Sequence, residues 1–380
     1  MRRILILGGG FGGIAAARRL RQKLSPEDEI ILVDRQAHFM VGFRKTWALI
    51  GESPLEVGQR PLAGLERQGI QVVQGTVTAI DPVARAAEVD GRRIEADAMV
   101  VALGAELAPD QIPGFSVHAL NIYDPKDIPR AGIALREFRG GRVAVGIFGA
   151  PYKCPPAPYE IALLVKDFFR ARSVDAALEI FTPQPMSLPI LGQAGCNVIE
   201  GRLADNAITF LPNHKATAVE AGEIVFTTGR RPYDLLLGVP PHQCPTLVMQ
   251  SGLTDGGDWV RVNPRTLETR FDGVYAIGDV VEIPMANGKP LPKAGIFAEA
   301  MGEVVADRIA ATFARQEPTA VFEGEGGCFL EVGGGEAMMV RGRFLAEPTP
   351  DVTLTEPSRA YLEEKRSFEA TRLQTWFSSI

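Results

Sequence analysis

Short runs of branched apolar residues alternate along this chain with glycine turns and helix-forming segments. The run from Arg3 to Leu7 predicts a buried parallel strand, and Glu29 to Val33 predicts a second one. Residues 97–105, 141–147 and 273–279 repeat this pattern, while helical periodicity is predicted for 14–20, 159–171, 294–313 and 358–377. Strands that alternate with helices predict an α/β fold with parallel sheets.

A glycine-rich loop separates the first predicted strand from the first predicted helix. Its spacing is Gly8-x-Gly10-x-x-Gly13, and Asp34 ends the next strand. In dinucleotide-binding folds the first glycine forms the turn and the second admits the pyrophosphate. The third lets helix and strand pack closely, and an acid about 20 residues on holds the ribose. The order of these features predicts a dinucleotide site at the N-terminus.

Composition narrows the function classes. The 380 residues exceed one ordinary domain, and the net charge of −6 argues against a nucleic-acid partner. We expect no membrane-spanning helix, no signal peptide, no disulfide framework and no metal site, because the apolar runs are short and the four cysteines and four histidines are scattered. These features predict a cytoplasmic location.

The middle of the chain departs from a nicotinamide-binding pattern. The predicted strand 141–147 is followed by a loop with four prolines around Cys154, where a second glycine-rich phosphate loop would be expected. Proline lacks a backbone N–H and cannot hold a phosphate in this way. NAD(P)H is therefore not expected to be the electron donor.

Several motifs resemble those of a known flavoprotein family. Residues 97–105 and 273–279 resemble the second and third fingerprints of flavoproteins with two dinucleotide-binding domains. The segment Lys153–Glu160, with Tyr233–Leu236, Trp259–Asn263 and Leu291–Gly295, is similar to the sulfide:quinone oxidoreductases and to the flavoprotein of flavocytochrome c sulfide dehydrogenase. This resemblance covers nearly the whole chain.

The resemblance implies two Rossmann-like domains and a smaller C-terminal region. It places an FAD domain in residues 1–112 and 241–315, an inserted second domain carrying Cys154 in 113–240, and a C-terminal domain carrying Cys328 in 316–380. FAD would be bound noncovalently, since no cysteine precedes Cys154. The implied FAD-binding residues are Gly8, Gly10, Phe11, Gly12, Gly13, Asp34, Arg35, Lys45, Val77, Ala102, Gly104, Gly278, Asp279, Lys293, Ala294 and Gly295.

The resemblance also implies the chemistry. Cys154 and Cys328 would form a redox-active disulfide beside the flavin, and sulfide would be oxidised to sulfane sulfur or polysulfide, with electrons passing to a quinone. Glu160 would be an acid–base group or simply a first-turn helix residue, and Lys293 would stabilise the anionic reduced flavin. Cys196 and Cys244 match no functional cysteine, and we expect both to be buried.

The electron acceptor and its surroundings stay open at this point. The resemblance implies that Phe329 and Phe368, which match aromatic positions of the quinone-reducing relatives, would sandwich the quinone ring. Trp376 and Phe377 either dip into a membrane surface or dock on the protein core. Weak monotopic attachment at the inner face of the cell membrane and a homodimer are both open. The alternatives are oxidation of another sulfur compound, donation to cytochrome c, NADH:quinone reduction, or a flavin-bound sensor without turnover.

Overall fold

The computed structural model describes residues 1–378, with helices between and after the strands of two parallel sheets. The α-helices are α1 (Phe11–Lys23), α2 (Arg44–Leu49), α3 (Phe115–His118), α4 (Ile128–Glu137), α5 (Ala157–Ala171), α6 (Gly192–Asp205), α7 (Thr246–Gln250), α8 (Gly295–Phe313) and α9 (Arg359–Phe377). Short 3-10 turns occupy Leu55–Gly58, Leu62–Gln68, Pro109–Gln111, Pro189–Leu191 and Gly278–Val280.

The first sheet consists of five parallel strands, four of which are mostly buried. Across the sheet the strands are Val274–Ala276, Ala98–Val101, Arg3–Leu7, Glu29–Asp34 and Gln71–Gln74. Both faces are covered, which is why the strands are continuous runs of branched residues instead of alternating patterns. The edge strand from residue 274 comes from the chain segment after the second sheet, so the sheet is completed only late in the sequence.

The second sheet repeats the order of four of these strands, but its edge strand precedes the other four in sequence, whereas the edge strand Val274–Ala276 of the first sheet follows them. Across it lie Leu120–Asn121, Leu235–Val239, Gly141–Ile147, Ala176–Phe181 and Ile208–Leu211, all parallel. In each unit, a three-stranded antiparallel meander lies in sequence between two strands of the parallel sheet. The meanders are Val77–Asp81, Ala86–Val89 and Arg92–Glu95 in the first unit, and Ala216–Glu220, Glu223–Phe226 and Gly229–Pro232 in the second. The α/β class with two Rossmann-like units is therefore confirmed.

A third sheet lies in the C-terminal part and is antiparallel. Its strands are Glu325–Gly333, Glu336–Arg343 and Asp351–Leu354. Three short pairs complete the strands: His38–Met40 with Gln59–Pro61, Glu106–Leu107 with His242–Gln243, and Val260–Arg261 with Val281–Glu282. The domain boundaries expected from the sequence stay a prediction.

Two helices pack closely over the first sheet. A Cβ atom on Gly302 of α8 would lie 2.3 Å from the carbonyl oxygen of Gly12 in α1, so only glycine permits this approach. Arg19 and Asp307 form an ion pair across the same helices at 2.8 Å. The contact joins the glycine loop to the segment after Lys293, which the sequence separates by nearly 300 residues.

Helix starts differ by a few residues from the sequence-based prediction. The helix α1 begins at Phe11, so Gly12 and Gly13 lie within its first turn, and α5 begins at Ala157. The helix α9 begins at Arg359, because the Ser358 hydroxyl accepts a hydrogen bond from the N–H of Ala360 at 3.1 Å. Across residues 1–378, none of the helices combines the length and apolar character that crossing a bilayer requires.

Candidate active site

A central cavity of about 350 Å³ lies where loops after strands of both parallel sheets converge. The first sheet contributes the loops at Gly10 and Gly104, and the second contributes the loop at Cys154. The third sheet and α9 close the cavity with Cys328 and Phe368. Ligands of open α/β sheets bind beyond the carboxyl ends of the strands, and this cavity occupies that position.

The glycine loop has the geometry that its spacing predicts. Gly8 adopts a φ of +111°, and a Cβ on Gly13 would lie 1.8 Å from the Gly8 carbonyl oxygen. Asp34 accepts a hydrogen bond from the N–H of Gly9 at 2.6 Å. A Cβ on Gly10 or on Gly104 would meet no heavy atom within 4 Å, although both glycines lie on the cavity wall. The loop is thus a cradle with free space on its cavity side, which fits a bound dinucleotide.

Most of the predicted FAD-binding residues line this cavity. They are Gly10, Phe11, Gly12, Lys45, Ala102, Gly104, Gly278, Asp279, Lys293, Ala294 and Gly295. Gly8 and Gly13 shape the loop behind it, and Asp34 is half-buried beside the loop. Arg35 is exposed and Val77 pairs with Val89 in a meander, so the structure brings neither of these two to the cavity wall.

Cys154 and Cys328 meet at the cavity wall. Each is a free cysteine, and the two thiols are close enough for each to shift the pKa of the other. Their side-chain interaction lowers the pKa of Cys154 and raises the pKa of Cys328 well above its ordinary value. Cys154 is fixed from both sides: its N–H donates to the Lys293 carbonyl at 2.8 Å, and its carbonyl accepts from the Tyr123 hydroxyl at 3.2 Å. Cys154 is thus the sulfur that more readily carries a thiolate.

A buried charged network lies next to the cysteines and consists of Glu160, Glu331 and Lys365. The Lys365 ammonium donates to Glu160 Oε1 at 2.8 Å and to Glu331 Oε1 at 2.7 Å. Trp47 Nε1 donates to the same oxygen of Glu331 at 2.6 Å. Burial raises the pKa of Glu160, whereas the two carboxylates outweigh burial and raise the pKa of Lys365. The Lys365 ammonium thus pairs with two carboxyl groups. Of the three residues in this network, Glu160 and Lys365 line the cavity.

No feature of the sequence pointed to Lys365, Glu331 or Trp47. Lys365 lies in a terminal helix whose basic and acidic residues nearly balance, a composition typical of a solvated helix. In the structure the Lys365 side chain is only 1% exposed. The one available signal is the helical spacing of α9, in which Lys365 falls on the same face as the apolar residues Leu362, Leu373 and Trp376.

Three lysines line another part of the cavity. Lys293 donates to the carbonyls of Asp279 and Val281 at 2.7 and 3.2 Å and lies 3.4 Å from the centre of a Trp259 ring. Burial lowers the pKa of Lys293 to about 8 and that of Lys45 to about 8, with Lys153 adding repulsion at Lys45. Lysines held in this way create a positive potential that attracts an anion.

Aromatic side chains form the remaining wall. The rings of Phe329 and Phe368 are 6.0 Å apart and meet edge to face, so they form neighbouring parts of one wall and leave no slot for a third ring between them. Trp376 is 5% exposed and packs on Phe11 and Phe39, with ring distances of 5.5 and 5.3 Å. Docking on the core, and not insertion into a membrane, is therefore what the structure shows for Trp376.

The remaining cysteines lie apart from this site. Cys196 and Cys244 are 0% and 1% exposed and pack as small apolar residues, as expected. Within the described residues, no group of three histidine, cysteine or acidic side chains is arranged to hold a metal ion.

Comparison with known proteins gives one family match and several similar proteins. Residues 2–149 match the pyridine nucleotide-disulphide oxidoreductase family. The mitochondrial sulfide:quinone oxidoreductase of Mus musculus is 23% identical over 363 residues, covering 91% of this chain and 79% of that protein. A type II NADH:quinone oxidoreductase of Staphylococcus aureus (strain NCTC 8325 / PS 47) is 24% identical over 347 residues, covering 81% and 82%.

A solved structure is similar over the full length. The X-ray structure of the sulfide:quinone oxidoreductase from Aquifex aeolicus superposes with a TM-score of 0.88 at 22% identity, covering 99% of this chain and 92% of that one. This likeness, the glycine cradle and the two Rossmann-like units confirm the resemblance inferred from the motifs. The chain therefore has the fold of the FAD-dependent pyridine nucleotide-disulphide oxidoreductases, and its residues 2–149 match that family.

Proposed function

We propose that this protein oxidises sulfide at Cys154 and Cys328 and passes the electrons through FAD to a quinone. The observation that supports it best is the contact between these two thiols on the wall of the cavity that also contains the glycine cradle. A pair of cysteines beside a flavin can accept sulfide as a nucleophile and needs no hydride donor. Similarity to the sulfide:quinone oxidoreductases of Mus musculus and Aquifex aeolicus favours the same substrates.

The first step is thiol–disulfide exchange. With the pair oxidised to a disulfide, hydrosulfide attacks one sulfur, forming a persulfide there and releasing the other cysteine as a thiolate. The ammonium groups of Lys45 and Lys153 would raise the local concentration of the hydrosulfide anion.

The second step returns the cysteines to their starting state. A second hydrosulfide attacks the outer sulfur of the persulfide and breaks its S–S bond. The product leaves as hydrodisulfide (HSS⁻), and both cysteines are then reduced. These form the disulfide again by giving up two electrons and their protons. FAD held by the Gly8–Gly13 loop would supply the two-electron acceptor for this oxidation and the electron donor for the quinone. Lys293, beside Asp279, would stabilise the negative charge of the reduced ring.

Quinone reduction also requires two protons. Glu160 and Lys365 line the cavity together with Phe329 and Phe368. An aromatic wall binds the flat quinone ring, and the adjacent charged network holds protons within reach of the quinone oxygens. We therefore assign Glu160 and Lys365 to proton delivery, and we propose a peripheral location at the inner face of the membrane, where quinones reside.

The test is an anaerobic titration of the purified holoprotein. Sulfide should bleach the flavin absorbance, and decylubiquinone should restore it. Cys154→Ser and Cys328→Ser should each abolish bleaching by sulfide, whereas Cys196→Ser, at a buried cysteine outside the cavity, serves as the matched control. Bleaching at the wild-type rate in both active-site variants would rule the proposal out.

The same titration separates the NADH:quinone alternative. The loop after residue 147, where a nicotinamide-binding protein would hold a phosphate, is closely packed. The Phe148 N–H donates to the Val239 carbonyl at 3.0 Å, and a Cβ on Gly149 would lie 3.0 Å from Pro241. Tyr152 is 3% exposed within this packed loop. Rapid bleaching by NADH, with none by sulfide, would instead favour the activity named for the Staphylococcus aureus relative.

A further inference from the structure

A second buried ion pair, between Arg44 and Glu369, lies directly behind the aromatic wall. The side chains are 8% and 4% exposed. Arg44 Nε donates to Glu369 Oε1 at 2.9 Å, and Arg44 Nη2 donates to Glu369 Oε2, so the pair is bidentate. Arg44 Nη1 also donates to the Ser53 hydroxyl at 2.6 Å. Each of the three guanidinium nitrogens thus donates a hydrogen bond to a side chain.

Packing fixes the pair from its remaining sides. The guanidinium carbon of Arg44 lies 4.7 Å from the centre of a Trp47 ring. On another side, a Cβ at Gly58 would fall 2.7 Å from Arg44 Nε and 2.9 Å from Glu369 Oε1. No side chain larger than hydrogen fits there without moving the pair. The ion pair is therefore a rigid link between α2 and α9.

The link joins two positions that are each one residue away from the cavity wall. Arg44 follows Phe43 and Glu369 follows Phe368, and both phenylalanines line the cavity with their ring centres 6.1 Å apart. A buried ion pair contributes little net stability compared with apolar residues of similar size, but it can fix the register of two elements. Here the ion pair fixes α2 against α9 and therefore fixes the Phe43 ring against the Phe368 ring.

We propose that Arg44 and Glu369 are positioning residues that set the spacing of Phe43 and Phe368 and so determine how well the cavity binds a quinone ring. The proposal rests on the proposed function, because it assigns the quinone to this wall. A flat ring stacks well only at a defined separation and tilt, so a displacement of α9 by a fraction of an ångström weakens quinone binding. The cysteines lie on other elements, so the reaction with sulfide changes much less than quinone binding does.

The experiment compares the two half-reactions in variants of the holoprotein. Glu369→Gln removes one charge, and the double variant Arg44→Met/Glu369→Leu removes both and leaves no unpaired buried charge. Gly58→Ala keeps both charges but displaces them. Glu363→Gln, at an exposed position of α9, is the matched control. The KM for decylubiquinone should rise at least about tenfold in the first three, while the rate of anaerobic bleaching by sulfide stays within about twofold.

Two results would overturn the inference. One is an unchanged KM for decylubiquinone in the double variant or in Gly58→Ala. The other is an equal loss in both half-reactions, which would indicate general disruption of the fold. Failure of the wild-type protein to bleach with sulfide is a different outcome, since it contradicts the proposed function itself. The Glu363→Gln control should match the wild type in both measurements.

Discussion

Replacing Lys365 with methionine should destabilise the protein to an extent that depends on pH. Methionine has nearly the same length and volume, so packing against Phe43 is kept, but Glu160 and Glu331 lose the ammonium group that pairs with them at 2.8 and 2.7 Å. Two charge-assisted hydrogen bonds contribute about 1.5–3 kcal/mol each. Removing one partner of a buried ion pair costs about 3–5 kcal/mol, which agrees with that sum.

The pH dependence follows from Glu160. Burial already raises its pKa, and Lys365 opposes that rise, so the pKa of Glu160 rises further in the variant. Between the ordinary carboxyl pKa of about 4.3 and the raised value, the folded protein binds a proton that the unfolded chain has lost. The free energy of unfolding then falls by about 1.4 kcal/mol for each pH unit per carboxyl group. The stabilising contribution is present at low pH and is lost as pH rises through the folded-state value.

Urea unfolding of wild type and variant, followed by tryptophan fluorescence between pH 5 and pH 8, measures this effect. The deficit of Lys365→Met should be several kcal/mol at pH 8 and clearly smaller at pH 5. Lys126→Met, which removes an exposed lysine, is the control and should show no deficit beyond about 0.5 kcal/mol. A deficit that is the same at both pH values, or below about 1 kcal/mol at pH 8, would refute this account of the network.

Three further predictions address the cysteines, the lysine at the flavin site and the glycine loop. In the reduced protein Cys328→Ala should move the alkylation of Cys154 by iodoacetamide to higher pH, because Cys154 loses the side-chain interaction that lowers its pKa; an unchanged pH profile by mass spectrometry would contradict this. Lys293→Met should slow anaerobic bleaching by sulfide about 100-fold or more, as expected for removal of a preorganised donor, with normal FAD content; a rate within threefold of wild type would refute it. Gly13→Ala should yield protein with little FAD and a lower unfolding temperature, because its Cβ would lie 1.8 Å from the Gly8 carbonyl oxygen. Gly201→Ala, in a helix with nothing within 4 Å of the new methyl group, should keep its full FAD absorbance.

Local physical chemistry explains what could be predicted from the sequence. Buried parallel strands require continuous apolar runs, and the glycine spacing at residues 8–13 has few alternative uses between a strand and a helix. The strands Arg3–Leu7 and Gly141–Ile147 therefore have the predicted bounds. Val77 was assigned by resemblance alone and lies in a meander and not on the cavity wall, so its role in binding FAD stays a prediction.

Only the tertiary structure decided which distant side chains meet. The sequence determined the Rossmann-like units, the nucleotide cradle and the proline-rich loop at Cys154. The contact of Cys154 with Cys328, and the pairing of Glu160 with Lys365 and of Arg44 with Glu369, depend on where α9 and the third sheet dock. A lysine or glutamate in a helix has the same local signature whether it faces water or a buried partner, because its burial is set by contacts with residues hundreds of positions away.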